Sequence, residues 1–129
     1  KDALQLASHI AFSADGLSDY AATDDLSHAL EIAESHLEGF LAVTDGSAGV
    51  YWRDGGETKH TPAFEIKPVD TLGAGDVWHG AFALAIGEKM PVSHAIQFSC
   101  AAAAIKCTHP GGRTGAPTRS EVDQFLRTA

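Results

Sequence analysis

Alternation of strand-like and helix-like patterns in the first third of the chain most constrains what it can fold into. His9–Ser13 is a short apolar run typical of a strand. Apolar residues then recur at helical spacing from Thr23 to Leu37, and Gly39 follows as a stop signal. Phe40–Val43 has the apolar pattern of a buried strand. Strand, helix and strand in this order predict the parallel crossover unit of an α/β fold.

Turn and cap residues separate these elements. Asp15-Gly16 is predicted to form a turn after the first strand, and Thr23 or Asp24 is placed to cap the helix. Further on, Asp54-Gly55-Gly56 is a strong hairpin signal that predicts a return strand over Thr58–Ile66. The first half of the chain is therefore expected to form a sheet with both parallel and antiparallel neighbours.

The second half of the chain is predicted to be mainly helical. One helix runs from Gly75 to about Ile86, and another from Val92 to about Cys107. The loop Thr108–Pro117 contains Pro-Gly-Gly, and a capping box at Thr118-Arg-Ser-Glu121 opens a short last helix. The pattern shows no internal repeat and no dividing linker, so 129 residues are expected to form part of one domain.

Composition excludes several classes of partner. Nine basic and 17 acidic residues give a net charge of -8, which argues against nucleic acid and restricts any anion to a local backbone site. No apolar run approaches the length of a membrane span, so we expect no membrane partner.

Cys100 and Cys107 lie two helical turns apart, roughly 10 Å, too far for a disulfide. Reduced thiols make the cytoplasm the expected compartment.

The segment Gly73-Ala-Gly-Asp76 is the candidate for chemistry. Glycines let the backbone approach a ligand, and the helix that follows presents unpaired N–H groups to an anion. A carboxylate in that first turn can accept a proton from an attacking hydroxyl. The alternative is a plain helix start in which Asp76 only stabilises the dipole. A dinucleotide fingerprint fails because Trp78 occupies its third glycine position, and a Walker loop is absent.

A longer stretch resolves that alternative, because Asp70–Ala83 closely resembles the C-terminal signature of the ribokinase-like (PfkB) carbohydrate kinases. Thr44–Gly49 looks like the nucleotide-binding turn of that family, Phe98–Ile105 like its helix beside the adenine, and Thr108–Pro117 like its loop around a monovalent cation. The resemblance covers nearly the whole chain from about Phe40. It implies a three-layer α/β/α, Rossmann-like fold of which this chain is the C-terminal nucleotide-binding and catalytic part.

The resemblance also implies individual roles in an ATP-dependent phosphorylation of a sugar or sugar-like hydroxyl. Asp76 would be the catalytic base, and the backbone N–H groups of Gly73, Ala74 and Gly75 would form the anion hole for the γ-phosphoryl group. The nucleotide-binding residues would be Thr44, Gly46, Gly49 and, beside the adenine, Cys100.

A potassium site is implied as well, with the Asp70 carboxylate as one ligand. Main-chain oxygens would complete it near Leu72, Lys106, His109, Gly111 and Gly115. Carboxylate and carbonyl oxygens suit a hard cation. Each role has a structural alternative: Asp70 could cap a turn, Thr44–Gly49 could be a plain turn, and Cys100 could be a packing residue. The Lys106 side chain is expected at the surface, and His79 in a packing or hydrogen-bonding role.

One departure from the family concerns magnesium. Its members usually carry Asn-x-x-Glu after an earlier strand to organise Mg²⁺ and phosphate, whereas this chain has Ser13-Ala-Asp-Gly16 there and contains no asparagine. Asp15 is the available carboxylate. The resemblance still implies Mg²⁺ bound with ATP.

The N-terminal half of the family enzymes, with the lid and most sugar contacts, is not visible in this sequence. We therefore expect the 129-residue chain alone to be inactive and the full-length protein to be active, with a homodimer as a further expectation. The segment from Asp76 and the loop after Lys106 look most like the branch containing sulfofructose kinase. The alternatives are an ATP-binding module without transfer, a nucleoside kinase of the same superfamily, and a dinucleotide-dependent oxidoreductase.

Overall fold

The chain packs as two compact units, Lys1–Pro62 and Ala63–Ala129, called unit 1 and unit 2 below. The computed structural model describes residues 3–110 and 116–128. Residues 62–73, at the division between the units, form neither helix nor strand. The sequence does not predict a linker here, because this segment contains apolar residues and lacks a Gly- or Ser-rich run.

A mixed sheet of four strands is the centre of unit 1 as far as the structure describes it. The strands stand in chain order, the first two parallel and the remaining neighbours antiparallel. This arrangement confirms the predicted crossover and the α/β class. The strands are β1 (His9–Ser13), β2 (Phe40–Thr44), β3 (Val50–Asp54) and β4 (Glu57–Thr61).

The hairpin between β3 and β4 is confirmed, but its return strand is shorter than predicted. Gly55 and Gly56 have φ angles of 57° and 82°, which fit the left-handed turn that joins such strands. The predicted extension of the strand to Ile66 is wrong, because β4 ends at Thr61. Pro62 follows directly and has no N–H to donate to a further ladder bond.

Three α-helices accompany the sheet of unit 1 in its described part: α1 (Ala3–Leu6), α2 (Ala14–Ala21) and α3 (Leu26–His36). The predicted turn at Asp15-Gly16 is wrong, since both residues lie in the first turn of α2. Ser13 caps this helix by accepting the Gly16 N–H at 3.0 Å, and Asp15 adds negative charge at its N-terminus. The capping serine is a signal that was present in the sequence and outweighed the turn propensity of Asp-Gly.

Both ends of α3 differ from the prediction. The cap is Asp25, whose carboxylate accepts a first-turn N–H at 3.2 Å, and not Thr23 or Asp24. At the other end the backbone becomes extended at Leu37, so Gly39 does not end the helix. Thr23, Asp24 and Asp25 are adjacent, and each is a residue type that favours the N-cap position, so the sequence alone does not show which of them caps the helix. The side chain of one of them, Thr23, instead accepts the N–H of the true cap at 3.3 Å.

The core of unit 1 joins one face of α2 and α3 to the first two strands. Its members are aliphatic and at most 6% exposed. Burying them removes apolar surface from water, which is the main favourable term in folding. The buried residues are Ile10, Leu17, Ala29, Leu30, Ala33, Leu37, Leu41 and Val43.

Unit 2 is helical, as predicted, with α4 (Ala74–Gly87), α5 (Val92–Cys107) and α6 (Arg119–Thr128). Pro91 precedes α5 as its N-cap. The Arg119 guanidinium holds both carboxylate oxygens of Glu88 at 2.7 and 2.6 Å, which ties the start of α6 to the end of α4. The predicted capping box is confirmed, because Thr118 and Glu121 exchange backbone-to-side-chain hydrogen bonds of 2.8 and 3.2 Å.

This capping box makes the stability of unit 2 sensitive to acid. The Thr118 N–H lowers the pKa of Glu121 below its ordinary value of 4.5. The charged carboxylate therefore stabilises the folded state above pH 4.5, and this contribution is lost as the pH falls through the lowered pKa. We expect Glu121→Gln to melt at a lower temperature than wild type at pH 7, with the difference shrinking towards pH 3. Glu65→Gln, in the irregular segment, is the matched control, and a pH-independent difference would contradict the prediction.

Candidate active site

The start of α4 has the geometry of an anion-binding helix N-terminus. Gly73 is the N-cap with φ 81°, a left-handed conformation that glycine adopts without strain, and no side chain caps the helix. Its carbonyl accepts the N–H of Val77 at 3.0 Å, so the helix begins immediately after it. First-turn N–H groups without a side-chain cap, together with the helix dipole, favour a negatively charged ligand.

Asp76 lies in the first turn of α4 and is exposed. Gly75 is also exposed, and a Cβ built there would meet no heavy atom outside its neighbours within 4 Å. The carboxylate and the first-turn amides thus share an open helix end. A carboxylate beside an anion site can accept a proton from a hydroxyl that attacks the bound group. The sequence predicts its chemistry at this helix end, and the roles of the individual residues there remain predictions.

The N–H groups assigned to the anion hole are not equivalent. The Ala74 N–H donates to the Thr71 carbonyl at 3.1 Å, so an anion would have to share or replace this hydrogen bond. Hydrogen bonds of active sites often rearrange when ligands bind, which leaves the assignment of Gly73, Ala74 and Gly75 a prediction. His79 donates from Nδ1 to the Gly75 carbonyl at 2.7 Å, in the hydrogen-bonding role expected for it.

Asp70 takes part in a turn that leads to this helix. Its Oδ1 accepts the Leu72 N–H at 2.9 Å, the turn-capping alternative that the sequence left open. Its N–H and that of Val69 donate to the Cys107 carbonyl at 3.1 and 2.6 Å. The segment before α4 is therefore fastened to the last residue of α5. Among the predicted potassium ligands, Gly111 and Gly115 lie outside the described residues.

The expected surface position of the Lys106 side chain is wrong. Lys106 is 0% exposed, and its Nζ donates to the main-chain oxygens of Asp70 at 2.9 Å and His109 at 3.4 Å. The family resemblance implies a role at the site for the main-chain oxygen near Lys106 only, and none for its side chain. The signal available in the sequence was the apolar run Ala101–Ile105 directly before Lys106, which lies in a mostly buried segment of α5.

The turn that resembles a nucleotide-binding turn lies in unit 1. Thr44 ends β2 and donates from Oγ1 to the Phe12 carbonyl at 3.5 Å. Gly46 and Gly49 have φ angles of 50° and 97°, and the Asp45 N–H closes the turn on the Gly49 carbonyl at 2.8 Å. The predicted turn is confirmed, and the two glycines hold conformations that other residues rarely adopt. Its contact with a nucleotide remains a prediction.

A groove of about 420 Å³ in unit 1 borders this turn at Asp45. Two further carboxylates, those of Asp24 and Asp25, also line it. Three carboxylates in one groove disfavour phosphate, and Thr44, Gly46 and Gly49 do not line it. The groove is therefore not a candidate for the phosphate-binding part of a nucleotide site.

Cys100 is 6% exposed and lies in a buried part of α5. Burial raises the pKa of its thiol, and the nearby indole N–H of Trp78 offsets this only in part. That indole N–H makes no full hydrogen bond within the described part of the chain. A buried thiol of raised pKa is unreactive, so any contact of Cys100 with adenine would be one of packing.

Two other residues of the same α5 segment line an apolar groove in unit 2. Phe98 and Ala102 lie one turn apart on the helix and border a groove of about 260 Å³, which Cys100 does not line. Leu84 of α4 and Val122 of α6 contribute further apolar surface. The guanidinium of Arg119 stacks over the Phe98 ring at 5.4 Å from its centroid.

Residues 3–110 and 116–128 contain no group of three or more His, Cys, Asp or Glu side chains that could hold a metal ion. Asp15, the carboxylate considered for magnesium, is exposed in the first turn of α2. None of the described helices is both long and apolar enough to cross a membrane.

Comparison with known proteins identifies relatives over nearly the whole chain. The family described as pfkB family carbohydrate kinase matches residues 1–119. Ribokinase from Bacillus subtilis is 38% identical over 86 residues, which are 67% of this chain and 29% of that protein. A putative ribokinase from Agrobacterium tumefaciens superposes with a TM-score of 0.89 at 37% identity, over 97% of this chain and 42% of that one. The chain thus spans less than half the length of these relatives.

A more distant structure shares the fold. Arabidopsis thaliana ribokinase, solved in complex with ribose and ATP, superposes with a TM-score of 0.88 over 98% of this chain and 43% of that one. At 24% identity this likeness is evidence for the fold alone. Together the superpositions confirm the ribokinase-like α/β fold class expected from the sequence.

Proposed function

The chain belongs to the pfkB family of carbohydrate kinases, and we propose that the protein carrying it transfers the γ-phosphoryl group of ATP to a sugar hydroxyl. The observation that carries this proposal is the start of α4. There an uncapped helix N-terminus, a left-handed Gly73 and an exposed Asp76 occur together within the segment matched by the family. A protein that only binds ATP, without transferring its phosphate, would not need a carboxylate beside the anion site.

The proposed reaction is an in-line displacement at phosphorus. The sugar hydroxyl oxygen attacks the γ-phosphorus, the bond from the γ-phosphorus to the bridging oxygen breaks, and ADP leaves with that oxygen. Asp76 accepts the hydroxyl proton, and the N–H groups of Gly73, Ala74 and Gly75 stabilise the negative charge on the transferring group. Positioning and electrostatics dominate such reactions, so a rigid helix start is a suitable platform.

The nucleotide and its magnesium ion involve further residues. Thr44, Gly46 and Gly49 are proposed for the phosphates and ribose, and Cys100 for packing near the adenine. Magnesium usually keeps several waters and takes one or two carboxylates plus the substrate phosphates, so a three-ligand cluster is not required. Asp15 fits this limited role as an exposed carboxylate. When bound, the ion would neutralise phosphate charge.

The potassium ion implied by the family resemblance fits the described residues poorly. The Asp70 carboxylate already accepts a backbone N–H, and the Asp70 and His109 carbonyl oxygens accept hydrogen bonds from the Lys106 ammonium. No part of the proposed mechanism therefore depends on potassium. The cytoplasm remains the proposed compartment, since Cys100 and Cys107 are free thiols of one helix.

The proposal is tested by phosphoryl transfer from γ-labelled ATP in the full-length natural protein. The acceptors are ribose, fructose, sulfofructose, adenosine and a blank without acceptor, and labelled product is measured. We expect label on a sugar, with sulfofructose as the preferred acceptor if the branch resemblance holds. Label on adenosine alone would identify a nucleoside kinase. ATP binding without any labelled product would show that the protein is an ATP-binding module that does not transfer phosphate. Tight binding of NAD in a parallel titration would favour an oxidoreductase.

A further inference from the structure

The buried ammonium group of Lys106 contacts main-chain oxygens of Asp70 and His109, two of the residues that the family resemblance assigns to a monovalent cation. The side chain is 0% exposed, which is rare for lysine, and its charge is satisfied by two main-chain oxygens. Taking an ammonium out of water is costly unless hydrogen-bond acceptors replace the water. The Asp70 carbonyl at 2.9 Å is the closer acceptor, and the His109 carbonyl at 3.4 Å is the second.

These acceptors are the kind that potassium itself uses. A potassium ion is held by carbonyl oxygens that replace its hydration shell, and an ammonium group is close to it in charge and size. The His109 main-chain oxygen belongs to the predicted potassium ligands. Asp70 belongs to them too, but it gives its carbonyl to Lys106 and its Oδ1 to the Leu72 N–H. Two of the predicted ligand residues are thus engaged by a positive charge that belongs to the chain itself.

We propose that Lys106 Nζ replaces potassium in this protein, so that ATP binding and turnover do not require a monovalent cation. A potassium ion among the same oxygens would lie next to a fixed positive charge, where low exposure to water strengthens the repulsion. This inference rests on the proposed kinase function. It deepens that proposal by assigning the positive charge that contacts the segment before α4 to a side chain.

Lys106 acts through the segment that begins α4 and is therefore a positioning residue. Asp70 lies three positions before Gly73, and its carbonyl is held by Lys106 while its N–H is held by the Cys107 carbonyl. The last turn of α5 thus holds this segment through three backbone groups, the N–H groups of Val69 and Asp70 and the Asp70 carbonyl. Without the ammonium, the Asp70 carbonyl would lose its charged partner, and the segment before α4 would lose one of these three attachments.

The test uses the full-length natural protein in potassium chloride and in tetramethylammonium chloride at equal ionic strength. The dissociation constant of ATP is measured by calorimetry, and the melting temperature is measured without nucleotide. We expect wild type to give the same values in both salts. Lys106→Ala, which opens space for an ion, should bind ATP about tenfold more weakly in tetramethylammonium, the loss expected for one charge-assisted hydrogen bond. Potassium or ethylammonium should restore its ATP affinity and raise its melting temperature.

Lys67→Ala removes an exposed lysine of the same unit and should match wild type in every condition. Wild-type ATP affinity or melting temperature that depends on potassium would overturn the proposal. A Lys106→Ala protein that neither potassium nor ethylammonium restores would also overturn it, because the lysine would then be a packing residue only. If Lys106→Ala does not fold, Lys106→Met, which keeps the packing volume, takes its place. The comparison of wild type in the two salts still tests whether the protein depends on potassium. Absence of ATP binding in every salt would refute the kinase function, while the melting temperatures would still test Lys106.

Discussion

Asp76→Asn is expected to lower the turnover number of the full-length protein about a thousandfold, within the range that general base catalysis contributes. The amide keeps the size of the side chain at the start of α4 but cannot accept the proton of the attacking hydroxyl. ATP affinity should be unchanged or slightly higher, because a negative charge beside the phosphates is removed. Turnover is measured in the labelled-ATP assay, and ATP affinity by calorimetry.

The matched control is Asp19→Asn, which removes an exposed carboxylate from α2 and should leave turnover at the wild-type value. The competing hypothesis is that Asp76 only stabilises the helix dipole. It predicts full turnover and a loss of about 0.3–1 kcal/mol in the free energy of unfolding. Unchanged turnover in Asp76→Asn would therefore exclude the carboxylate as the base, and a large loss of ATP affinity would point to a binding role instead.

Gly39→Ala is expected to destabilise unit 1 by about 2–3 kcal/mol, at the upper end of the range for overpacked sites. A Cβ at this position would lie 2.5 Å from the Ala7 carbonyl oxygen and 2.9 Å from that of Ser8. These atoms cannot simply move away, because the Ser8 carbonyl accepts the Phe40 N–H at 2.8 Å where β1 and β2 begin to pair. Chemical denaturation of the full-length protein measures the free energy of unfolding.

Gly87→Ala is the control for this substitution, since a Cβ there meets no heavy atom within 4 Å at the end of α4. It should leave stability unchanged or raise it slightly, because alanine restricts the unfolded chain more than glycine does. A Gly39→Ala protein as stable as the Gly87→Ala protein would show that the crossover relaxes without cost.

Short-range signals account for the parts of the fold that the sequence predicted well. The α5 boundaries, the hairpin at Gly55-Gly56 and the Thr118–Glu121 capping box each depend on residues within one or two turns of one another. The errors arise where local signals compete. Asp15-Gly16 favours a turn in isolation, but the Ser13 cap extends a helix through it. The return strand after the hairpin ends early because of one proline, a breaker that was visible in the sequence.

The sequence by itself determined the start of α4, because a left-handed glycine, a helix end without a side-chain cap and a first-turn carboxylate are all properties of four consecutive residues. Only the tertiary structure decided the environment of Lys106, whose ammonium contacts a carbonyl 36 positions earlier in the chain. It likewise decided that Gly39 is needed for close backbone approach rather than for ending a helix. Burial and contacts between distant segments depend on how helices and strands pack against one another. Periodicity and capping patterns are local, so they do not show which distant segments come into contact.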